Sequence, residues 1–147
     1  MSGPGDGLLH PVPLVAMVDL GVNDHWGKVV YPGIVTGKVS DFAGMVFFPI
    51  LLDAMAEWAL HLSGRAWAPT VRRGRAMVLA TGIVFALVKT WGPMGLVYRY
   101  GLAVLQSPVT GGVYPVTLHQ DPTDLVALIA LVYPWIYLGR RARRQAR

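Results

Sequence analysis

The chain of 147 residues contains no cysteine. That excludes a disulfide framework, a thiolate metal site and a cysteine nucleophile, and it leaves the redox compartment open. Charge is scarce as well: 14% of the residues are charged, against about 25% in an ordinary soluble domain. The shortage is concentrated in blocks. From Phe42 to Ala56 the only charge is Asp53, and from Ala76 to Val88 there is none. With 54% apolar residues and a mean hydropathy of +0.46, these blocks approach the roughly 20 apolar residues that cross a hydrocarbon core as a helix. The expectation is an all-α polytopic membrane protein in a single transmembrane domain.

Recognisable catalytic signatures are missing too. There is no G-x-S-x-G elbow and no H-E-x-x-H pair, and Ser40, Ser63 and Ser107 stand in no spacing to a histidine that points to activation. The run Gly33-Ile-Val-Thr-Gly37-Lys38 imitates a phosphate-binding loop, but three residues separate its glycines instead of four, and Val39 stands where a Ser or Thr would reach magnesium. No internal repeat suggests a duplicated transporter. The opening MSGPGDGLLH has no positive n-region and carries Asp6, so a short tail before a retained helix is expected rather than a cleaved signal.

Four hydrophobic segments predict four transmembrane helices in a four-helix bundle, over about 8–22, 39–62, 76–91 and 124–139. A fifth apolar stretch, about 94–106, follows Gly92-Pro93 and is interrupted by Arg99. Its length fits a re-entrant or interfacial helix, with a fifth span as the alternative. Pro134 is expected to kink the last segment. Arg65, Arg72, Arg73 and Arg75 follow the second segment, and the arginine-rich tail 140–147 holds five more arginines, so these two places carry nine of the 13 basic residues. By the positive-inside rule both are cytoplasmic, which four crossings satisfy with both termini inside. The net charge of +5 then reflects topology and anionic lipid head groups. No aromatic-basic surface accompanies it, so nucleic acid is not an expected partner.

On this topology the polar residues fall in two layers. The outer one holds Asn23, Asp24 and His25, then Lys38, Ser40 and Asp41, then Lys89, His119, Asp121 and Asp124. Ordinary roles account for several singly: Ser40 or Asp41, and Thr123 or Asp124, suit helix N-caps, and Lys89 can snorkel from a lipid-facing position. Together they suggest a shared extracytoplasmic vestibule with Asn23, Asp24, Lys38, Ser40, Asp41, Lys89, Asp121 and Asp124 as ligand-binding candidates. The inner layer is Asp53, Glu57 and His61, spaced four apart on one helix face. Ionisable groups at that depth are functional candidates by default, here as a divalent metal site or as paired, hydrated groups near the inner surface. Asp19, one turn before Asn23, is a further buried-carboxylate candidate.

"NDHWGK" at 23–28, "PGIVTGKVSDFAG" at 32–44 and "DPTDL" at 121–125 resemble recurring elements of an uncharacterised family of small bacterial inner-membrane proteins. The resemblance covers most of the chain, matches Asn23, Asp24, Thr36, Lys38, Ser40, Asp41, Asp121 and Asp124, and implies a bacterial inner-membrane location without implying a reaction. Three functions are open at this point. The vestibule would bind an anionic head group or a divalent cation; the chain would be a structural or accessory subunit of a larger membrane complex; or it would transport as a homo-oligomer.

Overall fold

A computed structural model describes residues 3–23, 26, 30, 33–114, 118 and 120–146, and among these every regular element is helical. A 3₁₀ turn, Asp6–Leu9, precedes α1 (Pro11–Val22), α2 (Ile34–Leu62), α3 (Val71–Thr90) and α4 (Gly92–Thr110). The last helix runs as a 3₁₀ segment from Pro122 to Leu131 and continues as α5 (Val132–Gln145). Among the described residues two helices are long and apolar enough to cross a membrane, Thr36–Leu62 and Pro122–Gln145, and a third crossing follows if α3 and α4 are one broken span. At 12 residues, α1 measures about 18 Å by helical rise.

Several boundaries differ from the sequence expectations, each for a local reason. The helix α2 starts at Ile34 after Gly33, so Ser40 and Asp41 lie inside it and are not its N-cap. In place of a cap, the Thr36 hydroxyl donates to the Gly33 carbonyl at 2.9 Å. Helix α3 starts at Val71 because Thr70 is its cap, its Oγ1 accepting the Arg73 backbone N–H at 3.2 Å. The 3₁₀ segment opens beneath Asp121, whose Oδ1 accepts the Thr123 N–H at 2.9 Å, so Asp121 takes the role expected of Thr123 or Asp124. The winding changes from 3₁₀ to α at Leu131 and Val132, ahead of Pro134, where the sequence predicts a kink. Stretch 94–106 lies within α4, which leaves α3 at 109°. Trp91 is extended there, and Pro93 suits the first turn of the new helix.

The chain forms two compact units, Met1–Gly82 with Ala127–Arg147, and Ile83–Val126. In the first, Ile50, Val78 and Leu138 make the apolar core. Close approach of helix backbones depends on small residues at the contact. Gly74 and Gly82 on α3 provide it: a Cβ at Gly74 would lie 2.8 Å from Leu138 Cβ, and one at Gly82 would lie 2.8 Å from Leu131 Cδ1. The segment 3–9 is no free tail. Gly5, at φ 81°, lies against Trp58, where a Cβ would come within 2.7 Å of the indole nitrogen.

Replacing Gly74 by alanine should destabilise the purified protein by about 1–3 kcal/mol, the cost of overpacking. Gly101→Ala, where a Cβ meets nothing within 4 Å, should be neutral or stabilising; thermal unfolding of both variants in a mild detergent reads the difference.

Candidate functional site: a carboxylate–arginine cluster

Asp53 and Glu57 stand one turn apart on α2, 2% and 0% exposed. An ionised carboxylate at such a depth persists only with opposite charge and hydrogen bonds around it. Arg73, held in the first turn of α3 by the Thr70 cap, spans the pair: Nε meets Asp53 Oδ1 at 2.7 Å and Nη2 meets Glu57 Oε1 at 2.8 Å. Its Nη1 donates to the carbonyls of Trp67 and Ala68 at 3.2 and 3.3 Å, which ties the 63–70 connection to the same guanidinium.

Arg141 approaches from α5. Its Nη1 and Nη2 fork onto the two oxygens of Glu57 at 2.6 and 3.0 Å, the paired geometry that makes arginine–carboxylate contacts strong. Nη1 also lies 3.5 Å from Asp53 Oδ2. Asp6, on the N-terminal 3₁₀ turn, closes the ring by binding Arg141 through Nε at 3.1 Å and through Nη2. Glu57 Oε2 takes one further hydrogen bond, from the Gly5 N–H at 2.8 Å. All four acceptor positions of Glu57 are thereby filled. Among the described residues no buried side-chain polar atom lacks a partner.

The sequence candidates distribute as follows. Asp53 and Glu57 enter the cluster, but His61 does not: it is exposed, its ring set edge-on to Trp58 and Trp67. Among the described residues no group of three His, Asp or Glu side chains could hold a metal. In the same unit Asn23 ends α1 and donates to Ser40 Oγ at 2.7 Å and to the Thr36 carbonyl at 2.6 Å, pinning α1 to α2. Lys38 and Asp41 are half-buried on α2, as is Asp19 on α1. In the second unit Lys89 Nζ meets Asp124 Oδ2 at 2.7 Å, each residue 8% exposed. Lys89 is therefore neutralised inside the protein instead of snorkelling. Beside it Gln120 donates to the carbonyls of Val88 and Trp91 at 2.7 and 3.2 Å, satisfying the open end of α3. Asp24, His25 and His119 lie outside the described residues.

Three members of the cluster escaped the sequence reading: Asp6, Arg73 and Arg141. The positive-inside rule treats the two arginines like their neighbours, and Asp6 falls in the stretch expected to be a tail. The signal present was the glycine spacing Gly3, Gly5 and Gly7 around Asp6, which lets backbone approach closely. Gly7 is buried and accepts from the Tyr137 hydroxyl at 2.9 Å, and a Cβ on it would meet the Arg141 guanidinium at 3.3 Å. No family model, curated protein or solved structure matches the chain.

Arg141→Ala should cost about 3–5 kcal/mol, because it leaves buried carboxylates short of a cation. Arg140→Ala, one residue away and exposed, should stay within about 0.5 kcal/mol of the wild type; denaturant titration in detergent distinguishes them.

Proposed function

We propose that the chain is a multi-pass protein of a bacterial inner membrane that serves as a structural or accessory subunit of a larger membrane complex. The observation that carries this reading is the pairing of buried ionisable groups with one another: Asp53 and Glu57 with Arg73 and Arg141, and Lys89 with Asp124. Charges spent in this way hold segments of the chain together. Apolar side chains are left over on the outside, with Val15 and Val18 on α1 and Met55 on α2 exposed to lipid or to helices of a neighbouring subunit. A vestibule for an anion or a divalent cation ranks second, because Lys89, one of the two lysines expected with Lys38 to attract an anion, is engaged by Asp124. Oligomeric transport ranks third, since a polar route starting at Asp53 would have to displace two arginines.

Four crossings are proposed, made by α1, α2, α3 and the last helix, with α4 re-entrant or interfacial. The cluster supports both termini lying on the cytoplasmic side, since Asp6, Glu57, Arg73 and Arg141 meet at one place. The N-terminal turn, the 63–70 connection and the C-terminal helix end therefore belong together, and positive charge keeps them inside. Fusions to a fluorescent protein and to alkaline phosphatase check this. Fluorescence is expected at the C-terminus and phosphatase activity at Gly112, and the reverse pattern would reject the topology.

Assembly is tested by cross-linking the tagged chain in its native membrane and purifying it in mild detergent. A defined complex with another protein is expected, and a monomer by every method would reject the subunit reading. Lys89→Asp alone should destabilise the chain, while the exchange Lys89→Asp with Asp124→Lys should restore both folding and assembly. A pair that folds but no longer supports assembly would show that Lys89 acts on something outside the chain.

A further inference from the structure

The last helix changes character over two turns. Ile129, Val132 and Ile136 are exposed apolar residues on one side of it, and the same side continues into Arg140 and Arg144. A groove of about 660 Å³ opens where the two parts meet, lined by Asp6, His10, Tyr133, Tyr137, Arg140 and Arg144. Arg141 also lines it, but its guanidinium is committed to Glu57 and Asp6. Arg140 and Arg144 are exposed, four residues apart on one helix face, and among the described residues neither is paired with a carboxylate.

The wall of the groove is aromatic and prearranged. Tyr133 and Tyr137 stack with ring centres 5.8 Å apart and planes 7° from parallel, and His10 lies 4.9 Å from Tyr137. His10 Nδ1 accepts the Val12 N–H at 3.4 Å and faces the Tyr133 hydroxyl at 3.2 Å. Tyrosines beside an apolar helix and just before its arginines belong at the level of lipid head groups. Among the described residues Asp6 is the one carboxylate lining the groove, and Arg141 holds it. The cluster of Asp6, Asp53 and Glu57 with Arg73 and Arg141 sums to −1, and adding Arg140 and Arg144 brings the formal charge to +1.

We infer that this groove binds an anionic phospholipid, with the phosphate held by Arg140 and Arg144 and the acyl chain laid along Ile136, Val132 and Ile129. Arginine suits the phosphate because its planar fork meets two oxygens at once. The apolar stripe running straight into the two arginines selects an amphiphile over a soluble anion. The inference rests on the proposal that the last helix crosses the membrane.

The test reconstitutes the full chain in vesicles of phosphatidylcholine, with and without phosphatidylglycerol, and follows quenching of tryptophan fluorescence by brominated phosphatidylglycerol. Preferential quenching by the anionic lipid is expected, and R140Q/R144Q should weaken the apparent affinity roughly thirtyfold. The charge-matched control R65Q/R143Q removes two exposed arginines outside the groove and should retain most of the preference. Equal loss in both pairs would reduce the effect to general surface charge and overturn the inference. So would displacement of the lipid by inorganic phosphate at equal concentration. If R140Q/R144Q fails to fold, R144Q alone, expected to lose roughly fivefold, takes its place, and an unchanged affinity there overturns the inference. Carbonate extraction separates the two readings. A chain that is extracted fails the membrane proposal and this one with it, while a chain that stays embedded without lipid preference fails this one alone.

Discussion

Glu57 is the residue whose burial the rest of the first unit has to satisfy. A fully enclosed carboxylate loses its water and must recover comparable stabilisation from fixed donors. Here it takes two guanidinium groups and a backbone N–H, brought by three segments distant in sequence: the N-terminal turn, the start of α3 and α5. The demand is geometric as much as energetic. Meeting it fixes the position of Arg73 through the Thr70 cap, of Arg141 through the packing of Leu138 on Gly74, and of Gly5 through its contact with Trp58. Ion pairs and small-residue contacts thus hold the segments of this unit together.

The second unit obeys the same rule with fewer parts. Lys89 sits in the last turn of α3, where unsatisfied carbonyls favour a cation, and Asp124 completes its neutralisation. Gln120 covers two carbonyls of the Val88–Trp91 stretch, and Gly95 leaves the space its amide fills. Among the described residues the buried carboxylates Asp53, Glu57 and Asp124 each have a cationic partner, which supports the view of this chain as a subunit held together from within.

Much of the architecture was legible in advance because it depends on local composition. The all-helical class, the apolar blocks that became α2 and the last helix, and the separate helix after Gly92-Pro93 all follow from runs of neighbouring residues. Asp53, Glu57, Lys89 and Asp124 could be singled out because a charge in an apolar block is costly wherever it points. Their partners were not legible. Arg73 and Arg141 look no different in sequence from Arg72 and Arg140, since positive-inside reasoning counts arginines and does not distinguish them. Ser40 and Thr123 do not mark helix starts: α2 begins earlier, at Ile34, with no side-chain cap, and before the last helix Asp121 acts in place of its neighbours.

The amino-acid sequence by itself determined that this chain is helical, that it carries segments suited to a membrane, and that a few of its charges would be expensive to bury. Those properties come from side-chain hydropathy and spacing within single segments. Tertiary structure alone decided which charges meet: Arg141 with Asp6 across 135 positions, with Glu57 across 84, and Lys89 with Asp124 across 35. The reason is that an ion pair is specified by distance in space. Distance in space between remote segments is set by which glycines let two backbones close and by which cap turns a helix toward its partner.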